Sequence, residues 1–155
     1  MAERVPGSYL LLLRLDEAST IAVGKLGTFV FAPGWYVYAG SALGGLDQRL
    51  AHHLNPSGAR RWHLDYLRDV AVVCEVCRFP GQVRQECDLA RAVRSLDGAS
   101  IPVPRFGASD CRCAAHLVYF SYHPLLPGFP LDPEADDHFD LNGRNRRVQG
   151  APWVK

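Results

Sequence analysis

Residues 9–15, with the sequence YLLLLRL, form an apolar run that limits the folds open to this chain. The run is followed directly by the polar stretch DEAS at residues 16–19. An apolar run of about 4–8 residues bounded by turn residues is typical of a buried strand, whereas a helix needs roughly ten or more. The pattern therefore predicts a buried first strand followed by a turn.

Three further strand-like segments follow in the next 25 residues. Residues 20–23 (TIAV) and 29–31 (FVF) flank the sequence GKLG, and residues 35–40 (WYVYAG) follow the break at Pro33 and Gly34. β-Branched and aromatic residues of this kind prefer strands, and Pro-Gly pairs mark turns. The segment up to residue 40 is predicted to form four short strands in an antiparallel meander.

Two amphipathic helices are predicted farther along the chain. Leucines at positions 43, 46, 50 and 54 recur at spacings of three and four, and NPSG at residues 55–58 ends that pattern. Residues 85–96 repeat the periodicity, residues 62–67 suit a helical turn, and residues 70–77 and 117–120 suit strands. These elements predict an α/β (α+β) domain, in which a small, mainly antiparallel sheet is flanked by helices.

Length and composition favour a single domain with a tail. The 155 residues are 48% hydrophobic, which is enough to bury a core without disulfides or metals. Residues 1–122 are predicted as the domain. Residues 123–155 hold many Pro, Asp, Gly and Arg residues, including the small basic cluster RNRR at 144–147, and are predicted to form an extended C-terminal tail.

Net charge and the lengths of the apolar runs restrict the partners and the location of the protein. Seventeen Lys and Arg against sixteen Asp and Glu give a net charge of +1, so any surface for nucleic acid has to come from local clustering. No apolar run approaches the roughly 20 residues of a membrane helix, and the N-terminal sequence lacks the apolar core of a secretory signal. A cytoplasmic protein without a membrane partner is expected. The sequence leaves the oligomeric state open.

Short motifs at the ends of predicted strands resemble those of a known enzyme family. GSY at residues 7–9, YAGS at 38–41 and the sequence SALGGLDQRLAHHL at 41–54 resemble the signature elements of the GIY-YIG nuclease superfamily. The segments 62–67 (WHLDYL), 86–90 (ECDLA) and 106–117 (FGASDCRCAAHL) are similar to an uncharacterised, DUF123-like branch. In that branch the domain occurs alone or fused to a DNA-repair endonuclease or glycosylase.

The resemblance implies a metal-dependent endonuclease, associated with repair, that cleaves phosphodiester bonds in DNA with Mg²⁺ or Mn²⁺. It implies that Tyr9 and Tyr38 are paired catalytic tyrosines and that Arg49 binds phosphate. His53 lies one turn after Arg49 on the same helix face and is the fourth catalytic candidate. Glu86 is implied to be the metal carboxylate. These roles suit the chemistry, because a metal ion lowers the pKa of bound water and a guanidinium stabilises a charged transition state.

Each of these residues also has a structural interpretation. The tyrosines are common in strands, Arg49 and His53 suit the solvated edge of an amphipathic helix, and Glu86 is favoured in a first helical turn by the helix dipole. Two other functions therefore stay open. One is a non-catalytic nucleic-acid-binding module, and the other is a zinc-stabilised interaction domain.

Basic residues flank a tryptophan in the segment between the first helix and the predicted helical turn. Arg60 and Arg61 precede Trp62 and His63. Together with Arg49, these residues could form the basic, aromatic-lined surface that follows a nucleic-acid backbone. Arg60, Arg61 and His63 are accordingly the candidate nucleic-acid-binding residues, and a solvated loop is the alternative.

Soft ligands cluster in the pattern C-x-C-x-x-H over residues 111–116. Cys87, or the pair Cys74 and Cys77, would complete a tetrahedral zinc site. Because Cys74 and Cys77 lie three apart on a predicted strand, they point to opposite faces and are predicted to be small hydrophobic residues. Buried thiols beside a functional histidine are the alternative to zinc. The candidate zinc ligands are Cys87, Cys111, Cys113 and His116.

Overall fold

The computed structural model describes residues 4–55, 60–124 and 126. Its strands are β1 (Gly7–Leu15), β2 (Ser19–Val23), β3 (Gly27–Phe31), β4 (Gly34–Ala42), β5 (Val72–Pro80) and β6 (Leu117–Phe120). Its helices are α1 (Leu46–Leu54), α2 (His63–Leu67) and α3 (Glu86–Arg94), and a single 3-10 turn at Gly24–Leu26 joins β2 to β3.

A four-stranded sheet with the order β5-β1-β4-β6 forms the centre of the domain, and each neighbouring pair is antiparallel. β1 is flanked on both sides, and its leucines are buried on both faces. Leu11 and Leu13 pack in the core shared with α1 and α2, whereas Leu10 and Leu12 pack in the core shared with α3. The predicted fold class, a small antiparallel sheet flanked by helices, is confirmed.

The predicted four-strand meander is wrong. β2 and β3 pair only with each other, and β1 pairs directly with β4 from Gly7↔Ala42 to Leu15↔Gly34. The hairpin buries Ile21, Val23 and Phe31 in the same core as the side chains of β1. It therefore covers a face of the central sheet and does not extend it. Alternating apolar residues predicted two strands correctly, but they could not indicate which partner each strand has.

The predicted helices exist with shorter bounds. α1 begins at Leu46, three residues after the predicted start, because Gly45 has a φ of 141° that no helix accommodates. Leu46, Leu50 and His53 are its buried residues, at the spacing that one helix face requires. α2 confirms the predicted helical turn, and α3 runs two residues short of the predicted C-terminus.

Two described residues of the predicted tail pack on the domain. The His123 ring lies 4.5 Å from the Trp35 ring and pairs with Glu75 at 3.4 Å, and Leu126 is buried against the α3 face of the sheet. The rest of the tail, including residues 144–147, lies outside the described residues, so the boundary at 122 stays a prediction. Within the described ranges, no helix has the length and apolar character needed to cross a membrane.

Gly7→Ala is expected to destabilise the domain by about 1–3 kcal/mol, since overpacking a core forces backbone shifts. A Cβ at Gly7 would lie 2.5 Å from Leu46 Cδ1 and 2.8 Å from the Phe79 carbonyl oxygen. Gly44→Ala is the matched control, because a Cβ there has no atom within 4 Å. Urea unfolding of both variants measures the difference. Equal midpoints for the two variants would contradict this packing account.

Candidate functional site

The pairing of β1 with β4 brings the two candidate tyrosines together. Tyr9 lies opposite Gly40 and Leu11 opposite Tyr38 in the register, so both tyrosines point to the α1 face of the sheet. Their ring centroids are 6.3 Å apart. Gly40 leaves room for this arrangement, because a Cβ there would lie 2.4 Å from the Tyr9 hydroxyl oxygen. The glycine of the second motif therefore accommodates the tyrosine of the first.

α1 places His53 against both tyrosines. His53 Nε2 lies 2.7 Å from the Tyr9 hydroxyl oxygen, and the His53 ring lies 6.2 Å from the Tyr38 ring. We call Tyr9, Tyr38 and His53 the tyrosine cluster. Burial lowers the pKa of His53 to about 3, so the imidazole is neutral at ordinary pH. Burial also raises the pKa of Tyr9 to about 12, against the lowering effect of the nearby Arg49 charge.

Arg49 lies between the tyrosine cluster and the surface. Its guanidinium stacks over the Trp62 ring at 4.1 Å, and its Nη1 donates to the Ser41 carbonyl oxygen at 3.0 Å. It borders an open pocket of about 310 Å³, which we call the Arg49 pocket. The pocket is lined by Arg4, Ala42, Gly44, Gly45, Gln48, Arg49, His52, Arg61 and Trp62. Among the residues that the structure describes, cations line this pocket and carboxylates do not, so it suits an anion.

Asp65 organises the wall of the Arg49 pocket. The buried carboxylate accepts hydrogen bonds from the backbone N–H groups of Arg61 and Trp62, at 2.8 and 3.1 Å, and from His52 Nε2 at 3.0 Å. Burial acts to raise the pKa of Asp65, but these bonds outweigh it and the net shift is downward. The carboxylate also lies 3.8 Å from His53 Nδ1, which has no hydrogen-bond partner among the described residues.

Glu86 approaches the tyrosine cluster from α3. Helix α3 packs on the face of the sheet opposite to α1. Its N-terminus is nevertheless held at the start of β1, because the Gln85 N–H donates to Ser8 Oγ at 2.9 Å. Glu86 is half-buried there, and its charge acts to raise the pKa of both Tyr9 and Tyr38. Glu86 therefore acts on the tyrosine cluster through its charge, whereas Arg49 adjoins the cluster directly.

The three candidate nucleic-acid-binding residues lie in different surroundings. Arg61 lines the Arg49 pocket. Arg60 is exposed and pairs with Asp69, and His63 Nδ1 accepts a hydrogen bond from the Gly107 N–H at 2.8 Å. Sequence reasoning missed Arg4 and His52, which also line the pocket. The repeated histidine at residues 52 and 53 could have indicated His52, whereas no local pattern indicates Arg4.

Four candidate metal ligands meet near Tyr38, because Gly107 borders both the Tyr38 ring and His116. We call Cys87, Cys111, Cys113 and His116 the Cys₃His cluster, whose potential ligand atoms all lie within 4.8 Å of one another. His116 Nε2 lies 3.6 Å from Cys87 Sγ and 3.4 Å from Cys111 Sγ. The cluster could hold a metal, and thiolates with imidazole are ligands for zinc, not for Mg²⁺ or Mn²⁺.

A metal ion in the Cys₃His cluster would displace the proton of a thiol. Burial raises the pKa of Cys87 to about 12, and hydrogen bonds that its thiol donates to Cys113 and Cys111 add to the effect. Without a cation its thiol is therefore protonated, and metal binding would release that proton. Cys77 lies apart from this cluster in the α3-side core, where burial raises its pKa. The prediction that Cys74 and Cys77 are small buried residues is confirmed for Cys77, whereas Cys74 is only half-buried.

The burial of neutral His53 predicts a pH dependence of stability. The unfolded chain protonates this histidine near pH 6.5 and the folded chain near pH 3, so the unfolded state binds more protons between these values. The free energy of unfolding should fall by up to about 1.4 kcal/mol per pH unit for this proton as the pH drops from 6 to 5. Urea unfolding at both pH values measures the slope.

His53→Gln is the matched variant, and we expect it to lose that part of the slope. Burial lowers the pKa of His63 and His116 too, but both residues contribute equally in the two proteins. An unchanged slope in the variant would show that His53 titrates normally in the folded state.

A family model described as "Domain of unknown function DUF123" matches residues 8–127, which is most of the chain. The matched range includes the tyrosine cluster, Arg49, Glu86 and the Cys₃His cluster, but not Arg4. No curated protein and no solved structure gives a significant match.

Proposed function

The chain belongs to the DUF123 family, and we propose that it is a metal-dependent endonuclease of the GIY-YIG type that cleaves phosphodiester bonds in DNA. The observation that carries the proposal is the hydrogen bond of 2.7 Å between Tyr9 and His53, next to an arginine that opens onto a basic pocket. A proton acceptor and a phosphate ligand thus adjoin each other. The association with DNA repair and the cytoplasmic location belong to the same proposal and rest on the resemblance of the motifs.

Phosphate binding is assigned to the Arg49 pocket. The guanidinium of Arg49 is already oriented by Trp62, by the Ser41 carbonyl and by a hydrogen bond with Tyr9. A guanidinium has five N–H donors, so donors remain for a phosphate oxygen. Arg4 and Arg61 line the same pocket and add charge for the neighbouring backbone phosphates. A preoriented arginine stabilises developing negative charge without reorganisation during the reaction.

Proton transfer is assigned to the pair of Tyr9 and His53. With its pKa near 12, Tyr9 is a neutral phenol, and with its pKa near 3, His53 is a neutral imidazole. Tyr9 accepts the proton of the attacking water while it passes its own proton to His53 Nε2. The carboxylate of Asp65, 3.8 Å from His53 Nδ1, stabilises the imidazolium that forms. This relay needs both neutral groups in contact, as they are here.

Glu86 is assigned to a divalent metal, Mg²⁺ or Mn²⁺. A half-buried carboxylate whose charge acts on both tyrosines suits a hard cation, because these ions prefer oxygen ligands. The metal would supply a water of lowered pKa and offset charge on the leaving oxygen. The Cys₃His cluster is a separate centre, and we assign zinc to it because its donors are soft.

A specific observation favours a second candidate, a non-catalytic nucleic-acid-binding module. Tyr9 and His53 are both 0% exposed, so substrate reaches them only through movement of the residues around Arg49. The basic pocket would bind a phosphate backbone whether or not that movement occurs. Cleavage activity separates the two functions.

The test is incubation of the purified chain with branched, nicked and single-stranded DNA in the presence of Mg²⁺ or Mn²⁺. We expect cleavage of at least one substrate, and its complete loss after chelation of the divalent metal. Binding without cleavage in either metal, by folded protein, would favour the non-catalytic module. RNA of the same shapes completes the panel, because contacts to backbone phosphates do not depend on the sugar.

A further inference from the structure

The Cys₃His cluster joins two segments that the backbone leaves far apart. Cys87 lies on the first turn of α3, and the other three ligands lie in the segment between α3 and β6. A zinc ion bound by all four would therefore be a cross-link between the helix start and that segment. At the helix start, Cys87 Sγ lies 3.6 Å from His116 Nε2, which is a weak contact between a thiol and an imidazole. At the other end of α3, Arg94 Nη1 donates to the Ala115 carbonyl oxygen at 2.7 Å.

On the helix side, the cross-link acts next to Glu86. Glu86 directly precedes Cys87 and is the first residue of α3. The residue before it, Gln85, provides no side-chain cap for the helix. The charge of Glu86 acts on His116 of the Cys₃His cluster and also on Tyr9 of the tyrosine cluster. The orientation of this first turn therefore determines where the Glu86 carboxylate lies relative to both clusters.

On the other side, the cross-link acts next to Tyr38. The backbone carbonyl oxygen of His116 accepts a hydrogen bond from the Ala39 N–H at 3.0 Å. Ala39 directly follows Tyr38 in the chain. Gly107 of the same segment abuts the Tyr38 ring, since a Cβ there would lie 2.8 Å from Tyr38 Cε1. The segment holding three of the ligands thus forms part of the wall around Tyr38.

The segment itself has a preset shape that suits a ligand loop. Arg105 has a φ of 68°, which is rare for a residue with a side chain, and its guanidinium donates to the carbonyl oxygens of Ala108, Cys111 and Cys113. These bonds fix the backbone on both sides of the two cysteines. The loop is therefore organised from within. Arg94 links it to the last turn of α3, and the Cys₃His cluster links it to the first turn.

We propose that zinc in the Cys₃His cluster is a positioning element, which fixes Glu86 relative to Tyr9 and Tyr38 so that Glu86 can hold the catalytic divalent ion. The inference rests on the proposed function, because it needs a divalent ion at Glu86. Zinc here takes no part in the reaction. Outer groups that orient a metal ligand typically change metal affinity by roughly 10- to 100-fold.

The experiment measures Mn²⁺ binding by electron paramagnetic resonance, with zinc-loaded and zinc-free protein compared at equal concentration. We expect one zinc per chain in the wild type and one Mn²⁺ site that Glu86→Gln removes. Removal of zinc should weaken Mn²⁺ binding at least tenfold while the cooperative thermal unfolding transition is kept. Cys113→Ser should reproduce this loss, and Cys113→His, which retains a zinc ligand, should restore the affinity.

Cys74→Ser is the matched control, because Cys74 lies outside the Cys₃His cluster and its substitution should change neither zinc content nor Mn²⁺ affinity. Folded, zinc-free protein that binds Mn²⁺ as tightly as the wild type would overturn the positioning role, and so would a folded wild type that takes up no zinc. Global unfolding on zinc removal would also overturn it, because zinc would then be a requirement of the whole fold. Absence of a Glu86-dependent Mn²⁺ site in zinc-loaded protein would instead overturn the proposed function.

Discussion

Arg49→Ala is expected to lower single-turnover cleavage of DNA by roughly 10²-fold or more, because loss of one oriented donor to a charged transition state costs several kcal/mol. Arg49 borders the Arg49 pocket, and Trp62 at 4.1 Å and the Ser41 carbonyl at 3.0 Å hold its guanidinium in place. Alanine removes the charge and the preset geometry together. Binding of the DNA should weaken far less, since Arg4 and Arg61 remain in the pocket.

Arg14→Ala is the matched control for this substitution. Arg14 also lies over a tryptophan ring, at 5.9 Å from the Trp35 centroid, but it stands at the other end of β1 and pairs with Asp16. Its loss removes the same charge and a similar stacking contact without touching the Arg49 pocket. Equal losses of cleavage in the two variants would mean that net charge, not the position of Arg49, determines the rate.

Glu86→Gln is expected to lower turnover in Mg²⁺ to a similar extent, by roughly 10²-fold or more. The substitution keeps the size of the side chain and removes the negative charge that a divalent ion requires. Because that charge also acts to raise the pKa of Tyr9 and Tyr38, its loss should lower both values slightly. Titration of the cleavage rate with Mg²⁺ separates weaker metal binding from slower chemistry.

Asp88→Asn is the control on the same helix. Asp88 is exposed on the first turn of α3, where it pairs with Arg91 at 3.3 Å, and it gives the same favourable interaction with the helix dipole as Glu86. Its substitution should leave cleavage unchanged. If Glu86→Gln kept full activity in Mg²⁺ and Asp88→Asn lost it, Asp88 and not Glu86 would be the carboxylate that holds the metal.

Local patterns predicted the elements of the fold better than their arrangement. The run at residues 9–15 predicted the central strand, and residues 117–120 predicted β6 with its observed bounds. The placement of β2 and β3 was wrong, because their alternating apolar residues fit a hairpin on the sheet's face as well as a strand within it. Strand pairing depends on contacts between distant segments, which periodicity does not encode.

In the candidate site too, the sequence predicted local features but not the contacts between distant segments. The contact between Tyr9 and His53 follows from two local motifs that the start of β1 and one face of α1 bring together. Arg4 and Cys87 contribute to the Arg49 pocket and the Cys₃His cluster from distant parts of the chain. Cys87 was a candidate only because a tetrahedral site needs a fourth ligand, whereas Arg4 carried no signal at all. A pocket formed from separate segments becomes visible only in the folded chain.

The measurement that tests the central claim most directly is single-turnover cleavage of DNA in Mg²⁺ by the wild type and by Tyr9→Phe. This substitution removes only the hydroxyl oxygen that lies 2.7 Å from His53 Nε2, so the buried ring and the Arg49 pocket remain. If Tyr9 and His53 transfer the proton of the attacking water, Tyr9→Phe should bind DNA as the wild type does and cleave it roughly 10²-fold more slowly or worse. Equal cleavage rates for the two proteins, or no cleavage by folded wild type, would contradict the account.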